Sequence, residues 1–401
     1  DRIRVAAQLL NVGENSTRWA ERFDEKYTDV LTLEDTISER VTRSLLPQLT
    51  GEEQRRLGRR RTRSPEAYEA YMRSRFYWNQ FTPESFPKTL DALERAVAFD
   101  PEYAQAHAAI ADFYNWASIY GFFPTDEAAP KVFAAASRAL EIDDSVSEAY
   151  AALGLYYSSQ FDYEQAEAYY RLSIELTPNY PLAHEWLGST LTGTGRFEEG
   201  VRETETAESL DPFSLRAKTL TAWTTYQARF FENSYQKGRE LITLDPNYPQ
   251  GYLQTANAAL ELGLVKEAVE NCRKAVEMMS PSALPVYCYC FALVADGQTE
   301  KARALVGEWA ERSKTQYVTP YFMGMMCAAV GELDAAFEGF EKSFGEKNHW
   351  LLWFGTEPKL EMLRRDRRYF ELFRLMNNPL IEKQERATGG ETKKNDRLSA
   401  L

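Results

Sequence analysis

Between Ser147 and Pro246 the apolar positions fall on stripes of helical period, and the stripes come in pairs. A proline follows each pair, at Pro178, Pro212 and Pro246, and both intervals are 34 residues. The intervals agree in detail. Tyr150, Leu153, Gly154 and Tyr157 in the first correspond to His184, Leu187, Gly188 and Leu191 in the second. Ala166, Tyr170 and Ser173 likewise correspond to Gly200, Thr204 and Ala207. Small residues at the eighth, twentieth and twenty-seventh places let two helices approach closely, and the proline stops the second one. The predicted unit is helix-turn-helix, and it buries its apolar face only by stacking on its neighbours.

Fainter copies continue in both directions. Ahead lie Thr89, Leu93 and Ala96 before Pro101, then His107, Ala111, Tyr114 and Ala139, with an enlarged connection around Gly121 to Pro130. Behind, Ala222 stands where glycine is usual, and Tyr252, Ala256, Gly263, Ala268, Cys272 and Ala275 keep their places. Gly297 and Ala302 mark a weaker copy, and Gly324, Gly331, Ala336, Phe340 and Ser343 the last. The pattern resembles the tetratricopeptide repeat. That resemblance implies a mainly α fold, an α-solenoid in which helical hairpins form a right-handed superhelix, with about eight repeats over residues 65–345. Trp350 to Phe354 is apolar, and Leu360, Leu363, Phe370, Phe373 and Met376 share a stripe; residues 346–380 are expected to form capping helices over the last apolar face. Residues 381–401 are charged, lack apolar period, and are expected to be disordered.

The first residues follow another rule. Ile3, Val5, Ala7 and Leu9 alternate, a turn follows around Gly13, and a second extended run surrounds Trp19, so a small β-hairpin is predicted. A helix should follow over roughly Asp29 to Leu46. One hairpin and one helix are marginal alone, so residues 1–50 read as the end of a truncated α+β domain. Arg4-Val5, Gln8-Leu9, Trp19 to Asp24, Leu33-Glu34-Asp35, Leu49 to Glu53 and Pro65 to Tyr68 resemble the end of a TolB-like domain, with Leu363 to Phe370 resembling that family's closing motif. In bacterial signalling proteins such a domain precedes these repeats. The resemblance implies a CadC-like winged-helix domain or a serine/threonine kinase domain upstream, often with a membrane span between. The chain opens on Asp1, and a preceding portion is therefore expected.

A net charge of −13 argues against a chain-wide surface for nucleic acid or anionic membrane. Residues 51–64 are the exception, an Arg-rich linker carrying Arg55, Arg56, Arg59, Arg60, Arg61 and Arg63. These could contact an anion, but the run has no interleaved aromatics, and a solvated linker whose charge balances the acidic solenoid is the simpler reading. No apolar run is long enough to span a membrane. Cys272, Cys288, Cys290 and Cys327 read as buried thiols; Cys288 and Cys290 sit two apart on a predicted helix and point to different sides. They tilt the expected setting toward the cytoplasm, although an upstream span would place this portion in the periplasm.

Catalytic patterns are not found. Gly188 to Thr194 has phosphate-loop glycine spacing but no lysine and no preceding strand. His184-Glu185 lacks a second histidine at position 188. The expectation is a non-enzymatic chain without cofactor or metal. A stack of such repeats binds, because its first helices line a concave groove. The early repeats present Gln105, Asp112, Asn115 and Trp116 there. The middle repeats present Glu185, Ser189, Thr192, Trp223, Tyr226 and Gln227, and the later ones Gln250, Asn257, Glu261 and Tyr287. Aromatic rings with amides and hydroxyls suit an extended peptide or a partner helix. Asn257 sits where a carboxylate clamp would place an asparagine, but Glu261 replaces the lysine, so a clamp is disfavoured. The chain thus reads as a scaffold or sensory module for a protein partner, its oligomeric state open. The other reading is the C-terminal part of a DNA-binding regulator or a kinase.

Overall fold

The computed structural model describes residues 2–11, 16–26, 62–80 and 84–384. It divides into two compact units, one with the residues up to Ile110 and Arg138–Asp144, the other with Ala111–Ser137 and the residues from Ser145 onward. In the first unit, β1 (Arg2–Asn11) pairs antiparallel with β2 (Ser16–Lys26), with Leu9 opposite Trp19 and an irregularity after Leu9. α1 (Pro65–Gln80) and α2 (Ser85–Phe99) form a hairpin whose alanines Ala67 and Ala96 close on Tyr103 and Ala106. The helix expected over Asp29 to Leu46 lies outside the described residues, as do all the linker arginines except Arg63, which is exposed.

α3 (Ala104–Ile119) and α4 (Thr125–Ile142) come next. The connection between them is shorter than expected, because Pro130 lies inside α4. It is the sixth residue of that helix, past the first turn, so it leaves the carbonyl four residues back without its amide donor.

The second unit repeats one hairpin. α5 (Ser147–Ser159) and α6 (Tyr163–Leu176) are followed by α7 (Pro181–Gly193) and α8 (Phe197–Leu210), then α9 (Leu215–Gln227) and α10 (Phe231–Leu244). α11 (Pro249–Glu261) and α12 (Val265–Met279), α13 (Leu284–Ala295) and α14 (Thr299–Arg312), and α15 (Pro320–Ala329) and α16 (Leu333–Gly345) complete the series. Pro178, Pro212 and Pro246 each stand just beyond the last residue of the second helix, as the sequence pattern requires.

The turn inside each hairpin carries a second signature. Phe161, Gly195, Arg229, Gly263, Gly297 and Gly331 all have positive φ, between 63° and 85°, and they recur at the repeat's own interval. A left-handed residue ends the first helix and redirects the chain, which glycine does without steric cost. The series carries the period well past Pro246. Close packing supplies the other constraint: a Cβ on Gly188 would meet Gly200 O at 2.7 Å and Thr204 Cγ2 at 2.6 Å. α7 and α8 therefore cross with nothing between their backbones.

His184 joins the same two helices. Nδ1 lies 2.7 Å from Glu203 Oε2, and Nε2 lies 3.1 Å from Pro178 O. Both partners are acceptors, so the doubly protonated ring suits them best. The hydrogen bond to Glu203, opposed by burial, raises the His184 pKa.

Beyond α16 come a 3-10 turn (His349–Trp353), a second (Pro358–Arg365) and α17 (Arg367–Leu375). Residues 381–384, expected to be disordered, are helical, and Gln384 Nε2 donates to Gly355 O at 2.6 Å. Contacts here also reach beyond neighbouring repeats: Trp350 Nε1–H donates to Ile119 O, 231 residues away. No strand occurs among the described residues from Thr62 to Gln384.

Two outcomes test these constraints. Gly263→Ala, where an added Cβ meets nothing within 4 Å, should cost about 1 kcal/mol in chemical denaturation from its backbone alone. Gly188→Ala should cost more, about 2 kcal/mol despite alanine's better helix propensity; a stabilised variant would refute the crossing. His184 contributes stability that is full below the unfolded histidine range, about pH 6.5, and lost as pH rises through its raised folded value. The stability gap between wild type and His184→Gln should thus be wider near pH ~6 than near pH ~8.5.

Candidate functional site

The first helices α7, α9 and α13 present Trp186, Trp223, Tyr226 and Tyr287, all nearly or fully buried. The expected open channel over them is not what the structure contains. Residues 348–380 fill it. The reason is physical: a row of large rings facing water is unfavourable, and this segment brings its own rings to cover them. Trp353 and Trp350 pack edge-on against Trp223 at centroid distances of 5.7 and 6.1 Å. His349 packs edge-on against Trp186 at 5.8 Å, and burial pushes its imidazole down to about 4, so it is neutral. At the far end Asn378 Nδ2 donates to Gly193 O at 3.0 Å. Phe354 meanwhile packs on Phe340 and Tyr369, covering the last hairpin. One segment thus caps the final repeat and also runs back along earlier ones.

A buried polar network fixes its middle. Lys359 and Glu357 have side chains only 1% exposed, with Nζ and Oε1 3.6 Å apart. Tyr226 bridges them: its hydroxyl accepts from Lys359 Nζ at 2.5 Å and donates to Glu357 Oε1 at 2.9 Å. Glu261 Oε1 is farther from the same hydroxyl, 3.3 Å, so Glu357 has the better claim on its one proton. Lys359 also donates to Asn257 Oδ1 at 2.8 Å. Gln227 Nε2 donates to Glu357 Oε2 at 2.9 Å, and its Oε1 accepts from Thr356 Oγ1 at 2.7 Å. Burial works to neutralise Lys359, but Glu357 and Glu261 outweigh it and hold its pKa above the ordinary lysine value. Burial and then Glu357 push Tyr226 well above the usual tyrosine range.

Between the first 3-10 turn and the helices remains a cavity of about 110 Å³. Trp116 and Tyr120 of α3, Glu185, Trp186 and Ser189 of α7, and Arg216 and Trp223 of α9 line it. Gln250 and Gln254 of α11, Tyr287 of α13, and His349, Trp350 and Trp353 close it. Arg216 reaches in from the rim, pairing with Glu185 Oε2 and lying 5.6 Å over the Trp116 ring. Burial, opposed by Arg216, raises the Glu185 carboxyl to about 7.

The predicted groove residues therefore have different fates. Trp116, Glu185, Ser189, Trp223, Gln250 and Tyr287 surround the cavity. Tyr226, Gln227, Asn257 and Glu261 face the Glu357–Lys359 pair. Asn115 donates to Ala152 O at 3.2 Å, Thr192 is wholly buried in α7, and Asp112 is half-buried. Gln105 belongs to the other compact unit. Sequence reasoning missed Lys359, Glu357, Thr356, Arg216 and Gln254. The available signal was a pair of opposite charges two residues apart, just after an apolar run. The cysteines are free and buried, and the near neighbour of Cys288 is Cys272, with the sulfurs 3.2 Å apart, not Cys290.

Residues 147–180 match the tetratricopeptide-repeat family. A Rhizobium meliloti (strain 1021) protein named "Putative adenylate cyclase 3" is 36% identical over 121 residues, covering 29% of this chain and 20% of that protein. This chain therefore matches about a fifth of that relative's length. Among solved structures, a chain of the APC/C hetero-tetramer Cut9–Hcn1 superposes with a TM-score of 0.51 at 12% identity, over 73% of this chain and 52% of that one. A pilF structure of Pseudomonas aeruginosa covers 57% of this chain and 98% of its own, at 15% identity and a TM-score of 0.40. Repeat match and stacked hairpins agree: residues 147–180 match one tetratricopeptide repeat, and the hairpins of the second unit have the fold of a tetratricopeptide-repeat solenoid.

Proposed function

We propose that this chain is the protein-interaction and regulatory portion of a bacterial signalling protein whose catalytic or DNA-binding output lies outside it. Its groove is a peptide-binding channel held in cis by residues 348–380. The observation that carries the reading is the pairing of Glu357 and Lys359 with Tyr226, Gln227 and Asn257, side chains of the kind that recognise a peptide's polar groups. A partner with a similar segment gains the groove by competing with the internal one. The N-terminal hairpin agrees with the TolB-like resemblance, which supports the signalling setting. The name of the Rhizobium relative favours a cyclase as the output domain over a winged-helix or kinase domain. No helix among the described residues is long and apolar enough to cross a membrane.

Two measurements test the cis arrangement. Lys359→Met leaves the Glu357 carboxylate buried without its cation and should cost about 3–5 kcal/mol, whereas Glu357→Gln with Lys359→Met should recover at least half. Equal losses would mean that the two charges are not coupled. A labelled peptide of residues 346–384 should bind the Glu357→Ala, Lys359→Ala chain and not the wild type. If hydrogen exchange shows the segment released in that variant and the peptide still does not bind, the groove is not a peptide channel.

A further inference from the structure

The cavity beneath the first 3-10 turn has walls that are mostly carbon, because the polar groups around it are turned into the protein. Ser189 Oγ donates to Glu185 O at 2.9 Å, within its own helix. Thr219 Oγ1 donates to Leu215 O at 2.7 Å, and Trp350 Nε1–H to Ile119 O at 3.0 Å. Arg216 pairs with Glu185 Oε2. Oε1 of Glu185 and Oε1 of Gln254 have almost no accessible surface, so neither oxygen faces the space. What remains is the ring and aliphatic surface of the tryptophans and of Ile119, Leu253 and Leu284.

The setting of the rings explains why the space is there and what shape it takes. Trp223 meets Trp350 at 80° and Trp353 at 88°, and Trp186 meets His349 at 84°. Trp116 is tilted by 50° against Trp186. Rings at right angles do not fill a corner as stacked rings do, and the atoms that line the gap lack dispersion partners on that side. A flat aromatic ring placed there offers edges to faces and faces to edges, the contacts that aromatic pairs prefer. An ion or a strongly hydrated molecule would exchange water for carbon, which is unfavourable. Thr219, Leu220 and Gln250 are half-buried and mark the mouth.

We propose that this cavity binds one small neutral aromatic molecule, a single five- or six-membered ring lying among Trp116, Trp186, Trp223, Trp350 and Trp353. The space is about 110 Å³, and a dry apolar cavity of about 150 Å³ accommodates benzene, so one ring fills it. His349, Trp350 and Trp353 close the site, and the ligand therefore binds the chain with residues 348–380 in the groove. The site stands on the filled groove as the structure shows it, and does not depend on which partner the groove recruits.

Benzene and thiophene are the probes, titrated into the full chain. Saturable one-to-one binding by calorimetry, with a change in tryptophan emission and a Kd of about 1 mM or tighter, is expected for both. Pyridazine has the shape of benzene but is strongly hydrated, and it should bind at least about tenfold more weakly. Cyclohexane, which has no ring face to offer and is thicker, should also bind more weakly than benzene. Ser189→Leu places side-chain carbon in the cavity and should weaken benzene at least about tenfold. Circular dichroism checks that the variant is folded; if it is not, Ser189→Val decides, with a several-fold loss expected. No saturable binding of either probe overturns the proposal. So does pyridazine or cyclohexane binding as tightly as benzene, or an unchanged benzene affinity in the folded variant. Failure here leaves the 346–384 peptide result intact, so the two readings stand or fall separately.

Discussion

A lysine and a glutamate buried to 1% exposure must both be satisfied, and the groups that satisfy them come from different helices. Tyr226 and Gln227 lie on α9, Asn257 on α11, and the charges themselves on a segment more than a hundred residues later. Taking two charges out of water is costly unless geometry and hydrogen bonding are good. The network meets that condition only when the segment and two successive hairpins hold one arrangement. A solenoid normally owes its stability to neighbours alone, as a sum of repeat and interface contributions. Here the filled groove adds a longitudinal tie, and the stack becomes one cooperative body over the length that the tie spans.

That arrangement also explains the cavity. His349, Trp350 and Trp353 cover the rings of α7 and α9 but leave room beside Trp116 and Glu185. The roof is the same segment that fills the groove. Anything lodged under it touches both the helices and the tie, so occupancy of the cavity and retention of the segment share contacts. Linkage between the two follows from those shared contacts.

The hairpins were legible because their rules are local. The intervals of Pro178, Pro212 and Pro246 and the small residues Gly188 and Gly200 state a close helix crossing within 34 residues. The turn series was half hidden: Gly263, Gly297 and Gly331 announce a left-handed turn, but Phe161 and Arg229 occupy the same conformation without glycine's signal. The groove residues were found by phase, and ten of them do face the segment or the cavity. Their occupant was not found. A pairing such as Lys359 with Asn257 spans 102 residues, and no periodicity encodes it. Residues 346–380 were read from their apolar stripe as a cap, and the stripe is real. What it covers depends on geometry that only the assembled helices possess.

Repeat proteins commonly gain and lose modules over evolutionary time, since each module meets only its neighbours. Trp350 on Ile119, Asn378 on Gly193 and Lys359 on Asn257 measure the same stack at three separate points. Duplicating or deleting a single hairpin between α5 and α13 would move these marks by one module's width, and the ruler laid along them would no longer fit. The chain has in this way exchanged the freedom to vary its copy number for a fixed count.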